Sequence, residues 1–197
     1  MKRFAVLAIA VALLSPLAAA AGESGNTYVE VGGARVNSNS DWYGPYATFS
    51  GRPHRNAAYV KGSWEFTPGL YVFGEHSHGT SSTFGTKSNT NQLGLGYTRS
   101  LNESTAVLAE GSYIGSDNDV WDSSGGRLSA GLRTQFSPRL EGWAKTHYSF
   151  ASGYAGDGTY SLSAGGQVKF TPTWGLTSEI ERSTYSTEYK LGVRASF

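Results

Sequence analysis

The chain has 197 residues, with 16 basic against 15 acidic side chains and no cysteine. That length holds one domain, the near-neutral charge without a basic block argues against nucleic acid as a main partner, and disulfide or thiol chemistry is excluded.

From the N-terminus, Lys2 and Arg3 precede an apolar run from Phe4 to Leu17, and Ala18 to Ala21 supply small residues for cleavage. This is the pattern of a secretory signal peptide, cut after Ala20 or Ala21. Residues 1–21 are therefore expected to be removed, and 22–197 to form the mature domain. Removal leaves 14 basic and 15 acidic residues.

After the signal no stretch is long and apolar enough for a membrane helix. Mean hydropathy is −0.33. Yet 26 glycines, 12 tyrosines, 9 phenylalanines and 5 tryptophans accompany only 16% charged residues. Such a composition suits a barrel whose outward and inward residues alternate, an arrangement that average hydropathy does not register.

A turn repeats along the mature chain. Phe66-Thr67-Pro68-Gly69-Leu70, Phe136-Ser137-Pro138-Arg139-Leu140 and Phe170-Thr171-Pro172-Thr173-Trp174 share a Phe, a hydroxyl residue, a Pro and a large apolar residue. Proline lacks the ladder donor and belongs in tight turns. The second and third copies are 34 residues apart and the first two 70, with the turn-like Arg99-Ser100-Leu101-Asn102-Glu103 halfway. A period of about 35 residues fits a hairpin of two membrane-length strands.

Between turns the residues alternate, as in Tyr160, Leu162, Ala164, Gly166, Val168 and Phe170 against Ser161, Ser163, Gly165, Gln167 and Lys169. The expected strands are 27–36, 56–66, 70–78, 90–99, 105–115, 126–136, 140–150, 160–170, 174–183 and 188–197. The expected fold is all-β: a closed antiparallel transmembrane β-barrel of ten strands, eight being the alternative, with both termini periplasmic. The Pro turns then face the periplasm, and the connections 37–55, 79–89, 116–125 and 151–159 face outward.

Charge placement tests the register. A basic residue facing lipid at mid-bilayer costs about 2–4 kcal/mol, and about 0–1 near the interface. Alternation places Glu30, Lys61, Glu65, Glu75, Glu110, Arg127, Arg133, Glu141, Lys145, Lys169, Glu179, Glu181, Glu188, Lys190 and Arg194 inside, leaving Arg35, Arg99 and Arg182 outside at strand ends. So balanced a set predicts a salt-bridged lumen rather than an open pore. Its central members are Lys61, Glu75, Arg133, Glu141, Lys145, Glu179, Glu181, Lys190 and Arg194. A turn symmetric about Pro68 sets Lys61 opposite Glu75, and a loop over 184–187 sets Glu181 opposite Lys190. The alternative is a narrow pore for ions or small solutes with charged walls.

Phe66, Phe136, Phe170 and Trp174 gather at one rim and Tyr113, Tyr148, Phe150 and Tyr160 at the other, as interfacial girdles. Trp42, Tyr43, Tyr46, Arg52 and Arg55 sit in the connection 37–55 and form a candidate surface-contact loop. His76-Ser77-His78 is expected at a loop mouth without a metal, and no cofactor is expected.

His147-Tyr148-Ser149 faintly resembles the His and Ser of outer-membrane lipid A deacylases. Phe150 stands where that resemblance implies an Asn, so an oxyanion donor is missing. The lumen-facing position also keeps the pair away from acyl chains, and Asp157 would serve as the acid only if its loop folded back. The expectation is a non-enzyme.

At the C-terminus, Tyr189, Leu191, Val193, Ala195 and Phe197 alternate with Glu188, Lys190, Gly192, Arg194 and Ser196. This resembles the C-terminal recognition strand of bacterial outer-membrane proteins, which implies that Tyr189, Leu191, Val193 and Phe197 form an assembly signal for the barrel-assembly machinery. The short hairpins, the Pro turns and the Tyr28-Val29-Glu30 opening resemble the small outer-membrane barrels of xanthomonad-type gammaproteobacteria and, in architecture, the eight-stranded OmpX and OmpA-barrel class. The resemblance implies an outer-membrane surface protein with structural, adhesion or host-contact roles, surrounded by outer-membrane lipid and lipopolysaccharide; the chain is expected to be a monomer.

Overall fold

The computed structural model describes residues 26–39, 53–81, 85–118, 122–152 and 158–197. The signal segment 1–21, the loop residues Trp42, Tyr43, Tyr46 and Arg52, and Asp157 lie outside the described residues.

Ten strands follow one another: β1 (Tyr28–Ser38), β2 (His54–Thr67), β3 (Leu70–Ser81), β4 (Lys87–Ser100), β5 (Thr105–Asn118), β6 (Asp122–Ser137), β7 (Leu140–Ser152), β8 (Thr159–Lys169), β9 (Trp174–Ser183) and β10 (Ser186–Ser196). Each pairs antiparallel with its chain neighbours, and β1 pairs with β10 to close the barrel. Closure leaves no edge strand to satisfy. The eight-strand alternative fails because β1 and β2 pair in register from Tyr28↔Ser63 to Asn37↔His54.

The turns explain the repeated motif. Ser137 Oγ accepts from the backbone N–H of Leu140, and Thr171 Oγ1 from that of Trp174. The hydroxyl residue before each of these prolines thus holds its own turn. In the first copy a bulge separates Glu65 from Thr67, Gly69 takes φ +81°, and its N–H donates to Glu65 Oε1. The Pro-free turn between β4 and β5 uses Asn102 Oδ1 as acceptor for Ser104 and Thr105 N–H.

Two expectations need correction at the other end of the barrel, here called the loop end. The strands run on into the connections assigned to 37–55, 79–89, 116–125 and 151–159, so β6 already begins at Asp122 and β2 at His54. Arg55 is consequently a strand residue, and His76-Ser77-His78 lies within β3 rather than at a loop mouth. The β9–β10 turn is also tighter than a four-residue loop. Ser183 Oγ accepts from Tyr185 and Ser186 N–H, and the register becomes Lys190↔Glu179 and Glu188↔Glu181, replacing Glu181 opposite Lys190.

Period-two alternation fixes the two surfaces. Leu93, Leu95, Leu128, Leu132, Leu162 and Leu176 are exposed on the outer wall, whereas the fifteen charges assigned inward are all buried or half-buried. Arg35, Arg99 and Arg182 are exposed. Phe66, Phe136, Phe170 and Trp174 are exposed at the turn end, and Tyr113, Tyr148, Phe150 and Tyr160 toward the loop end. An apolar wall bounded by two aromatic rings is the surface a bilayer requires.

Candidate functional site: a crosslinked lumen

The inner wall carries glycines directly opposite aromatics. Tyr71 pairs with Gly96 and Phe73 with Gly94 across β3–β4, Trp143 with Gly165 across β7–β8, and Tyr59 with Gly32 across β1–β2. A Cβ on Gly94 would lie 2.5 Å from Phe73 Cζ, and one on Gly165 2.6 Å from Trp143 Cε2. One on Gly96 would collide with the Tyr71 ring. The absent side chains make room for each ring against the wall, and Tyr59, Tyr71 and Trp143 aim a polar tip into the lumen.

Those tips meet charges. Tyr59 Oη donates to Glu30 Oε1 at 2.6 Å, Tyr71 Oη to Glu110 Oε1 at 2.8 Å, and Trp143 Nε1 to Glu179 Oε2 at 2.7 Å. The Arg194 guanidinium stacks 4.0 Å from the Tyr28 ring centre and 5.2 Å from that of Trp143, while donating to Glu30 Oε2. Every buried carboxylate oxygen of Glu30 therefore has a donor, as a buried charge demands.

Ion pairs then span the lumen between strands that are not neighbours. Lys190 of β10 reaches Glu75 of β3 at 2.6 Å, Lys145 of β7 reaches Glu110 of β5 at 2.7 Å, and Arg127 of β6 grips Glu181 of β9 with both terminal nitrogens at 2.9 and 3.1 Å. At the turn end the residue before the barrel takes part. Arg133 Nη1 donates to Asn26 Oδ1, and Asn26 Nδ2 to Glu65 Oε2, both at 2.8 Å. Asn26 and Thr27 are buried.

Lys61 and Glu75 are direct cross-strand partners, as symmetry about Pro68 predicts. The Glu75 ion pair, however, is made with Lys190. Lys61 instead lines a mid-lumen cavity of about 40 Å³ with Tyr28, Glu110, Glu141, Glu179 and Arg194, enough for about three waters. A second recess of about 270 Å³ lies at the loop end, lined by Arg55, Arg127, Glu181, Glu188 and serine hydroxyls. Arg55 Nη1 donates to Ser88 Oγ at 2.6 Å.

Four of the aromatic contributors, Tyr28, Tyr59, Tyr71 and Trp143, are absent from the set singled out by charge alone, as is Asn26; Arg127 is among the inward charges but not among those named as central. Strand parity carries the signal for the rings: each shares a face with an inward charge, and three sit opposite a glycine.

His147 and Ser149 do not form a nucleophile–base pair. His147 Nδ1 bonds Ser129 Oγ at 2.8 Å and Nε2 bonds Ser163 Oγ at 3.0 Å, while Ser149 Oγ accepts from Arg127 Nε at 3.0 Å. His76 and His78 face outward, each with Nδ1 2.7 Å from an asparagine oxygen, of Asn91 and Asn89 respectively. Among the described residues no group of three or more His, Cys, Asp or Glu is placed to hold a metal.

On β10, Tyr189 and Leu191 are exposed on the outer wall, Val193 is half-buried, and Ala195 is covered. Phe197 N–H donates to Thr27 O at 3.0 Å, tying the chain end to the start of the barrel.

No family model and no curated protein matches the chain. Solved structures do. The beta domain of the Bordetella autotransporter BrkA matches at TM-score 0.60 and 12% identity, over 87% of this chain and 100% of that one. An outer membrane channel from Pseudomonas putida F1 matches at 0.53 and 13%, over 87% and 96%. The translocator domain of the autotransporter NalP from Neisseria meningitidis matches at 0.51 and 11%, over 97% and 96%. At these identities the likeness is one of fold: the chain is a closed, ten-stranded antiparallel barrel of the architecture found in bacterial outer-membrane proteins.

Proposed function

We propose that this protein is a non-enzymatic, monomeric outer-membrane barrel, exported by a cleaved signal peptide, with a lumen plugged by its own side chains. The observation that carries this reading is the set of ion pairs joining non-adjacent strands across the lumen, with a mid-lumen cavity of only about 40 Å³. A transport path has to weaken such chords to let solute pass, and each one here is reinforced: Lys190 lies 5.4 Å from the Tyr59 ring centre, Tyr71 donates to Glu110, and Ser161 donates to Glu181.

Function then belongs to the loop end, facing outward with both termini periplasmic. The loop bearing Trp42, Tyr43, Tyr46 and Arg52 supplies aromatic and cationic side chains for adhesion or surface contact, in the manner of small barrels of xanthomonad type. The exposed ladder of Tyr189 and Leu191 ending at Phe197 serves the barrel-assembly machinery. A deacylase-like role gains nothing from the geometry, since both His147 nitrogens are engaged by serines other than Ser149.

Fractionation of expressing cells tests the placement. The mature protein is expected in the outer-membrane fraction, to migrate faster unboiled than boiled, and to be cleaved in intact cells by external protease only at a site inserted in 40–52. Recovery in the soluble fraction, or cleavage only after the outer membrane is opened, would refute it.

A further inference from the structure

The outer wall is nearly free of charge, and the exceptions are not scattered. Among the described residues the outward charged side chains toward the loop end are Arg35, Lys87, Asp117, Asp122 and Arg182. Asp117 and Asp122 are cross-strand partners at the tips of β5 and β6. Arg35 on β1 and Arg182 on β9 flank β10, opposite Tyr189 and Thr187 respectively. Their backbones are thus about 10 Å apart across the sheet, and both side chains are exposed. No carboxylate shares that face of β9, β10 or β1, whose acids all point into the lumen.

Below the two arginines the wall is shaped as well as apolar. Leu191 stands out from β10, 64% exposed, with the small residues Gly33 and Ser178 as its partners on either side. Tyr189 and Ile180 form the next row toward the loop end, level with Arg35, and Arg182 lies one row beyond them. Leu191 thus projects between two small residues on an apolar wall, with the two cations toward the loop end. Arg35 Nε donates to Asn37 Oδ1 at 3.1 Å, which orients that guanidinium along β1. Guanidinium pairs match phosphate oxygens in geometry as well as charge.

We propose that Arg35 and Arg182 clamp the phosphate of an anionic lipid headgroup whose acyl chains lie against the apolar wall around Leu191. The site rests on the outer-membrane reading above, because it needs lipid against this wall. It adds a ligand class and a location: a phosphate-bearing lipid on the β9–β10–β1 seam, away from Asp117 and Asp122.

The test uses the mature barrel folded in phosphatidylcholine nanodiscs, with bound lipid read by native mass spectrometry. The probes are lipid A bearing two phosphates and the same lipid with both removed. The phosphorylated form is expected to be retained preferentially, and R35Q/R182Q to retain it roughly 20- to 30-fold less, at about one headgroup attraction per arginine. R99Q, at the opposite rim, is expected to behave as wild type. If the double variant does not fold, the single variants R35Q and R182Q carry the test, each expected to weaken retention roughly fivefold. Equal retention of the dephosphorylated lipid, or undiminished retention by the arginine variants, would overturn the proposal. So would displacement of the lipid by an equal concentration of inorganic phosphate, which would mark free phosphate as the ligand. Folded, unboiled gel migration is read on every sample. Lost preference in a folded barrel counts against the clamp alone, whereas failure to insert counts against the membrane-barrel reading.

Discussion

Glu30 and Arg194 are direct cross-strand partners on the first and last strands, and their 2.6 Å ion pair lies on the seam that closes the barrel. Both side chains are under 10% exposed, and Tyr59 and Tyr28 hold the two ends of the pair. Removing one partner strands a buried charge, a loss of about 3–5 kcal/mol. Arg194→Met is expected to lower the urea midpoint of the folded barrel in lipid by that measure. Glu30→Gln in the same chain is expected to restore most of it, because no unpaired charge remains.

The glycine–aromatic pairs predict a sharp contrast between two glycines of the sheet. A side chain on Gly96 meets the Tyr71 ring, whereas the nearest atom to a Cβ on Gly62 is Tyr28 O at 3.9 Å. Gly96→Val is expected to cost about 1–3 kcal/mol by overpacking. Gly62→Ala is expected to be neutral or slightly stabilising. Urea midpoints of the two variants, each checked for heat-modifiable migration, decide between them.

His147 is a structural bridge between β6 and β8. Its loss leaves the hydroxyls of Ser129 and Ser163 without their imidazole partner, at a cost of about 1–2 kcal/mol. His147→Ala and Ser149→Ala are expected to reduce stability while lipid A acylation in overexpressing cells stays at the level of cells lacking the protein. Lipid A deacylated by the wild type and not by these variants would contradict a non-enzymatic role.

Deleting Phe197 separates assembly from stability. Its backbone makes one bond to Thr27, so refolding of the purified chain into detergent is expected to change little. Assembly in cells is expected to fall, with more protein left unfolded in the periplasm. Equal losses in both settings would make Phe197 an ordinary structural residue.

Much of this architecture is legible in the sequence because its determinants are local. Alternation sets which face each residue takes, and the hydroxyl-Pro turns set where hairpins reverse. Symmetry about Pro68 even yields the Lys61↔Glu75 register. The chords across the lumen are another matter. Whether Glu75 pairs with Lys61 beside it or with Lys190 three strands away depends on barrel curvature and the depth of each residue, and neither is a local property. The last hairpin is shifted by two residues from the register that spacing suggests because the Ser183 hydroxyl holds a tighter turn. Tyr59, Tyr71 and Trp143 escape a search for charges because their contribution is a ring against glycine and a single polar tip.

The plugged lumen is tested most directly by current. The purified mature barrel, inserted in a planar lipid bilayer, is expected to give no steady conductance, or only very small steps. A large, stable conductance at neutral pH would mean that the chords joining Lys190 to Glu75, Lys145 to Glu110 and Arg127 to Glu181 leave an open path, and would contradict the account.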